Sequence, residues 1–255
     1  MPSCLVVGDA YVKLADGENV VMVSDLRRRL TIDDRWSVDR HFVIGQGMSR
    51  QDVEALRVVA AAKGLDGQFT FPDERAPLVL THKCDDEHVL IGRPVRVEPN
   101  HYRFDLVMND RVDRLSDHVT GVHIGGMVLL EAGRQAIVTV LETEYRKDGE
   151  TPLGLVWNSL GIRFLNFAFP VPTSISVRLA PETPDQSRPG RGQRGSAVLT
   201  VDFRQADASV CEFEMAVGIY DAEALSKIER RRARRAVEGA LAQVRTEPVK
   251  DVEVA

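Results

Sequence analysis

The sequence predicts an α+β protein in which a curved antiparallel sheet wraps a long central helix, with a small mixed α/β unit ahead of it. Three observations carry this. Residues 122–141 are apolar enough to be buried, yet they hold Glu131, Arg134 and Gln135 near their centre. Two strand-like runs precede that stretch and four follow it. The first 75 residues instead mix short apolar runs with one amphipathic helical pattern.

Within residues 1–75, short apolar runs at 5–7 and 20–23 flank Asp16-Gly17, a hairpin turn signal. A third run, 41–44, follows the polar stretch 27–40. Ser49 reads as a helix N-cap with Asp52 in the N3 position. Val53, Leu56, Val59 and Ala60 then recur at helical spacing until Gly64 stops the helix. Residues 68–71 read as another strand, and the proline-bounded stretch 72–77 as a boundary. Gly45-Gln46-Gly47 between strand and helix superficially matches a dinucleotide fingerprint. Arg50 occupies the third glycine's place and no acidic residue in a supporting βαβ context follows, so an ordinary strand-to-helix turn is expected.

From residue 76 to 222 the pattern changes. Strands are expected at 89–97 and 102–107 around a Pro99-Asn100 turn, then the helix 122–141, a charged segment 142–150, and strands at 160–169, 174–179, 197–203 and 211–219. A basic loop, 184–195, carries Arg188, Arg191 and Arg194. A helix from about 222 to 244, very basic between Lys227 and Arg235, and a polar tail complete the third part, 223–255. A strand pair, one long apolar helix and a run of strands is the order expected of a hotdog fold, one of several α+β arrangements that this pattern alone allows.

Composition narrows the function classes. The 255 residues carry 33 basic and 38 acidic side chains, a net charge of −5, with 44% hydrophobic and 28% charged residues. This describes a globular chain rather than a disordered or collagenous one. The acidic balance argues against a protein that coats nucleic acid. Cys4, Cys84 and Cys211 lack paired or metal-ligand spacing, so neither a disulfide framework nor a metal site is indicated, and a reducing cytoplasm is expected. Residues 122–141 approach the length of a membrane span, but Glu131 and Arg134 at the centre are too costly in hydrocarbon. The apolar run 4–7 is too short for a signal peptide.

The stripe Leu130, Gly133, Ile137, Val140 and Leu141 marks one buried face of the helix. Met127, Val128, Ala132 and Val138 make its other side apolar too. Glu131, Arg134 and Gln135 are thereby grouped in apolar surroundings, where a carboxylate and a guanidinium must satisfy each other, a backbone group or a ligand. Gly121, Gly125 and Gly126 give a close approach to the helix, whose exposed N–H groups can receive a carbonyl or anionic oxygen.

Leu130-Glu131-Ala132-Gly133-Arg134-Gln135-Ala136 resembles the E-x-x-R-Q helix of the A-factor biosynthesis (AfsA-type) hotdog proteins. Thr81-His82-Lys83 followed by Glu87-His88-Val89-Leu90-Ile91 is similar to their V-H-K…E-x-V-L-(L/I) opening. The resemblance spans residues 78–221. His118, Gly126-Met127, Glu131-Ala132 and Gln135 more distantly resemble the H…G…E-A-x-x-Q arrangement of β-hydroxyacyl thioester dehydratases. The AfsA-type resemblance implies an acyl-thioester binder, with CoA or an acyl carrier protein as substrate carrier and no further cofactor. It implies an acyltransferase that joins a β-ketoacyl chain to dihydroxyacetone phosphate in γ-butyrolactone signal or secondary-metabolite synthesis. Glu131 then matches the base and Arg134 its basic neighbour, which also suits a phosphate. Two features depart from the family pattern. This chain has one hotdog unit where signalling members usually carry two, and Gly125-Gly126 stands where they tend to show Asp-Pro.

A single unit is expected to pair as a homodimer with its pocket near the subunit interface. The expected catalytic residues are Glu131, Arg134 and His118; Gly125, Gly126, Met127, Gln135 and His123 are expected to line the substrate. Two other readings stay open: dehydration or thioester hydrolysis with His118 and Glu131 as the pair, and a non-catalytic acyl-ligand sensor or scaffold. A buried structural ion pair is the bland alternative for Glu131 and Arg134. His82 and Lys83 read chiefly as a fold signature, and the Lys227–Arg235 cluster as a solvated basic face, with nucleic acid and membrane disfavoured as partners.

Overall fold

The first strand, β1 (Ser3–Val7), buries Cys4, Val6 and Val7 and starts a sheet whose four strands all run parallel. The computed structural model describes residues 2–32, 39–109, 121–182 and 192–246. β1 lies between β2 (Val20–Met22) and β3 (His41–Ile44), and β4 (Phe69–Thr70) pairs on the far side of β3. The Asp16-Gly17 turn therefore does not make a hairpin. Asp16 Oδ1 instead accepts from the N–H groups of Glu18, Asn19 and Val20 at 2.8, 2.8 and 2.9 Å, a local turn that returns the chain to run alongside β1 in the same direction.

Val23, expected in the strand, begins α1 (Val23–Thr31), which falls largely in the stretch read as merely polar. Its buried side is only Val23, Leu26 and Leu30, and arginines cover the rest. α2 (Arg50–Lys63) follows β3 with the predicted caps. Ser49 Oγ accepts from Asp52 N at 3.1 Å, and Gly64 closes the helix at φ 68°.

The second sheet is antiparallel, ordered β5 (Val95–Glu98), β6 (His101–Asp105), β8 (Ser174–Glu182), β9 (Gln193–Gln205), β10 (Ala208–Tyr220) and β7 (Gly154–Phe164). Between β4 and β5 lies one short helix, α3 (Leu78–Thr81). The central helix, α4 (Gly126–Tyr145), packs Val128, Ala132, Ala136, Ile137 and Val140 into one core with Ile175, Leu199, Val201, Phe213 and Val217 of the sheet. Alternating residues of β9 and β10 point into that core, as period-two strands require. The N-terminal sheet has its own core, built from Val6, Leu26, Phe42, Leu56 and neighbours.

Several bounds differ from the expectation. The first hotdog strand begins at Val95 rather than 89, because Val89 N donates to Asp86 O at 3.1 Å, Leu90 N to the Gln135 side chain at 2.9 Å, and Ile91 O accepts from Ala76 N at 2.9 Å. β7 precedes its expected place, ending at Phe164 instead of running to 169. α4 starts four residues late, since Ile124 N donates to Ala168 O at 2.7 Å and holds the approach extended. It ends four residues late because Glu142, read as leaving the helix, is paired within the fold. Met127, expected on a buried face, is exposed.

Gly45-Gln46-Gly47 joins the two sheets. The Gln46 side chain donates to Leu106 O and accepts from Met108 N, both at 2.8 Å, while Gly47 N donates to Met108 O at 2.9 Å and Gln46 N to Pro170 O at 3.0 Å. Gly8 is required beside it, because a Cβ there would sit 1.5 Å from Gly47 O. The carboxyl ends of β1 and β3, where open parallel sheets commonly hold ligands, are thus partly covered by the segments at 106–108 and 170 that flank strands of the second sheet. Gln46→Ala should cost about 2 kcal/mol in urea unfolding, the expected loss for buried Leu106 C=O and Met108 N–H groups left without partners. An unchanged midpoint would remove Gln46 from the seam's energetics.

Candidate functional site

Glu131, Gln135, Thr139 and Glu142 recur at spacings of four, four and three and so share one face of α4. All four grip residues 80–90. Lys83 Nζ lies 2.6 Å from Glu131 Oε1. Gln135 Nε2 donates to His88 O and its Oε1 accepts from Leu90 N, each at 2.9 Å. Thr139 Oγ1 donates to Leu80 O at 3.2 Å, and His82 Nε2 lies 2.6 Å from Glu142 Oε1. Residues 80–90 contribute one short helical end and one 3-10 turn, so they need side-chain partners for their backbone groups. The two motifs that stood fifty residues apart in the sequence are bonded to each other.

Glu131 is the most heavily bonded carboxylate of this set. Arg134 meets it bidentately, Nε to Oε2 at 2.7 Å and Nη2 to Oε1 at 2.8 Å, and Gln135 Nε2 adds a third donor at 2.9 Å beside Lys83. The side chains of Glu131, Lys83 and Arg134 are 16%, 23% and 26% exposed, so the cluster is shielded but reachable. Burial pushes the Glu131 pKa up, yet the hydrogen bonds from Arg134, then Lys83 and Gln135, outweigh it and hold the carboxyl at about 2. At neutral pH the carboxyl is therefore ionised, held between Arg134, Lys83 and Gln135. Arg134 spends Nε and Nη2 on this carboxylate, which leaves Nη1 for another oxygen.

Glu142 is fully buried and has its own partners. Besides His82, Leu153 N donates to Oε1 at 2.7 Å and Arg146 Nε lies 3.0 Å from Oε2. His82 takes a left-handed backbone, φ 54°, to reach it. Neither Glu142 nor Thr139 stood out in the sequence, although the helical spacing from Glu131 was there to be read.

Gly125, Gly126, Met127 and His123 gather at the other end of α4. Gly125 is the N-cap with no side-chain cap, and the first-turn N–H groups of Gly126 and Met127 have no acceptor within the helix. Phe164 lies so close to Gly126 that a Cβ there would stand 2.8 Å from the ring. His123 meets Phe167 with ring centroids 5.0 Å apart. Met127, Phe164 and Phe167 are 55%, 55% and 69% exposed, an apolar group around a helix N-terminus. Glu131 is five residues further along, about 7.5 Å by helical rise. Gln135, expected to line substrate, is fully buried with every polar atom bonded within the protein. His118 lies outside the described residues.

The family model for the A-factor biosynthesis (AfsA) hotdog domain matches residues 72–220, more than half of the chain. The chain belongs to this family. The AfsA match takes in α4, its partner segment 80–90 and the whole antiparallel sheet, and leaves the parallel sheet outside. No curated protein matches the chain. Similar solved structures include a conserved protein of Pseudomonas aeruginosa (17% identity, 49% of this chain and 86% of that one, TM-score 0.35). Others are a phenylacetic acid degradation-related protein of Ralstonia eutropha JMP134 (22%, 50% and 82%, TM-score 0.32) and a thioesterase of Haemophilus influenzae (13%, 51% and 78%, TM-score 0.34).

Two other features of this AfsA-family chain bear on ligands. A cavity of about 470 Å³ lies at the seam of the two sheets, lined by Arg50, Arg57, Arg75 and Arg93 against Glu54, Asp73, Glu74 and Asp86, a balanced set that favours neither ligand charge. Among the described residues no group of three or more His, Cys, Asp or Glu side chains is placed to hold a metal ion, and no helix is long and apolar enough to cross a membrane.

Proposed function

We propose that this AfsA-family chain binds an acyl thioester at the N-terminal end of α4 and, as a homodimer, transfers the acyl group to a hydroxyl acceptor. The observation that carries the reading is the apolar cluster of Met127, Phe164 and Phe167 around the uncapped N–H groups of Gly126 and Met127. A helix N-terminus polarises a carbonyl oxygen, and apolar rings beside it accept an acyl chain. In this reading the acceptor oxygen bonds to the acyl carbon as its proton leaves, the C–S bond breaks, and the thiolate takes up a proton. His123, beside Phe167 at the same end of α4, handles that proton traffic in this reading. Glu131 serves as the ionised anchor that aims Arg134 at a phosphate or carbonyl oxygen.

The dimer reading rests on β7. It pairs only with β10, so its outer edge is unpaired among the described residues, while Trp157, Leu160 and Phe164 are exposed along it. Joining two such edges about a two-fold axis normal to the sheet covers both. A second reading, a binder that performs no chemistry, is favoured by the saturated hydrogen-bond shell of Glu131.

Incubation with β-ketoacyl, β-hydroxyacyl and saturated thioesters separates the two, with dihydroxyacetone phosphate or water as acceptor. Transfer from the β-ketoacyl thioester is expected, falling about 100-fold in kcat/KM in Arg134→Ala. Leu160→Lys should shift the particle mass to that of a monomer and lower turnover with it. Retained thioester binding without turnover on any substrate would establish the binder instead.

A further inference from the structure

The chain's positive charge is concentrated on its last helix, α5 (Ala222–Thr246). The root of α5 is firmly held. Leu225 packs against Gly154 at the start of β7, and Arg194 ties Asp221 and Glu150 together, each at 2.5 Å. From Glu229 to Leu241 every residue is exposed. Lys227, Arg230, Arg231, Arg234 and Arg235 follow the spacing i, i+3, i+4, i+7, i+8 and therefore form one face. With Arg232 they make six cations between residues 227 and 235, where Glu229 is the one carboxylate and Glu223 and Glu238 flank the run, in a chain whose net charge is −5. Lys227 pairs with Glu223 at 2.7 Å, while Arg231, Arg232, Arg234 and Arg235 have no side-chain partner among the described residues. Like charges four apart weaken a helix, so an acidic surface laid on this face would relieve repulsion as well as add attraction.

We propose that this face docks an acidic acyl carrier protein, which presents its thioester to the acyl site of the neighbouring protomer. The inference rests on the thioester reading and names its carrier. The face spans about 12 Å of helix, the size of a helical protein surface rather than of one phosphate group. No aromatic residue interleaves the arginines, as a single-stranded nucleic acid platform would require. Within one protomer, α5 is rooted at the Gly154 end of β7 and the acyl site lies at its Phe164 end, about 33 Å away along an eleven-residue strand. Antiparallel pairing of two β7 edges sets the Gly154 end of one beside the Phe164 end of the other. The basic face then stands next to its partner's acyl site.

Two measurements test this on the full chain, with Arg230, Arg231, Arg234 and Arg235 all changed to Glu. Binding of a fluorescently labelled holo acyl carrier protein from a type II fatty-acid synthase should weaken at least about tenfold, and should weaken with salt in the wild type. The KM for the carrier-bound β-ketoacyl thioester should rise in step, while turnover of the same acyl group on uncharged pantetheine stays unchanged. In mixed dimers, a protomer with the reversed helix paired with an Arg134→Ala protomer should retain carrier-dependent turnover, because the intact helix serves the intact site across the interface. Carrier binding unaffected by charge reversal overturns the proposal, as does tighter wild-type binding to duplex DNA than to the carrier. If no thioester is turned over by the wild type, the acyl-site reading has failed, and carrier binding alone still decides the docking.

Discussion

Glu131→Ala should destabilise the protein by about 3 kcal/mol, because it leaves Lys83 and Arg134 facing each other in a shielded site with Gln135 short of one acceptor. The same side chain sets an acid limit. Its carboxyl is held at about 2 in the folded chain against an ordinary value of 4.5, so the unfolded chain binds the proton first as pH falls. The stabilisation is complete above about pH 4.5, declines below it, and is lost as pH drops through about 2. Urea unfolding at several pH values should show that acid slope in the wild type and less of it in Glu131→Ala. An alanine variant of unchanged stability and unchanged slope would mean that the cluster contributes nothing to holding residues 80–90 on α4.

Gly133→Ala should destabilise by about 2 kcal/mol, although alanine is the better helix former by about 1 kcal/mol. A Cβ at position 133 would lie 1.8 Å from Phe213 Cζ and 2.4 Å from Cε1, and that ring is buried in the core. The glycine between Glu131 and Arg134 thus lets the sheet approach the helix at the level of the cluster. Phe213→Leu combined with Gly133→Ala should recover part of the loss, a coupling that thermal unfolding of the two single variants and the double variant would measure. A more stable Gly133→Ala would show that helix propensity outweighs the contact.

Local chemistry made parts of this fold legible. Ser49 and Gly64 capped α2 as their side chain and its absence dictate, and the alternation of β9 and β10 marked strands with one face buried. The hotdog order and the AfsA resemblance followed from α4 and two short motifs. Pairing direction was not legible, because Asp16-Gly17 makes a similar turn whether the chain returns antiparallel or merely reverses on its way to a parallel neighbour. α1 was hidden because three apolar residues among arginines are enough when a sheet covers them.

At the site, the sequence grouped Glu131, Arg134 and Gln135 but left open what they met. Lys83 was read as a fold signature and is a direct partner of the carboxylate. Gln135 was expected to line substrate through its grouping with Glu131 and Arg134, and its amide instead meets the backbone at His88 and Leu90. The direction of the Glu131 pKa was undecidable from composition, since it depends on whether burial or the number of donors wins.

In the proposed function an acyl group sits at the N-terminal end of α4. A crystal structure with a non-hydrolysable amide analogue of a β-ketoacyl thioester tests it most directly. The analogue's carbonyl should accept from the N–H of Gly126 or Met127, with its chain against Phe164 and Phe167. An analogue lodged instead in the 470 Å³ cavity between α2 and the antiparallel sheet would contradict it.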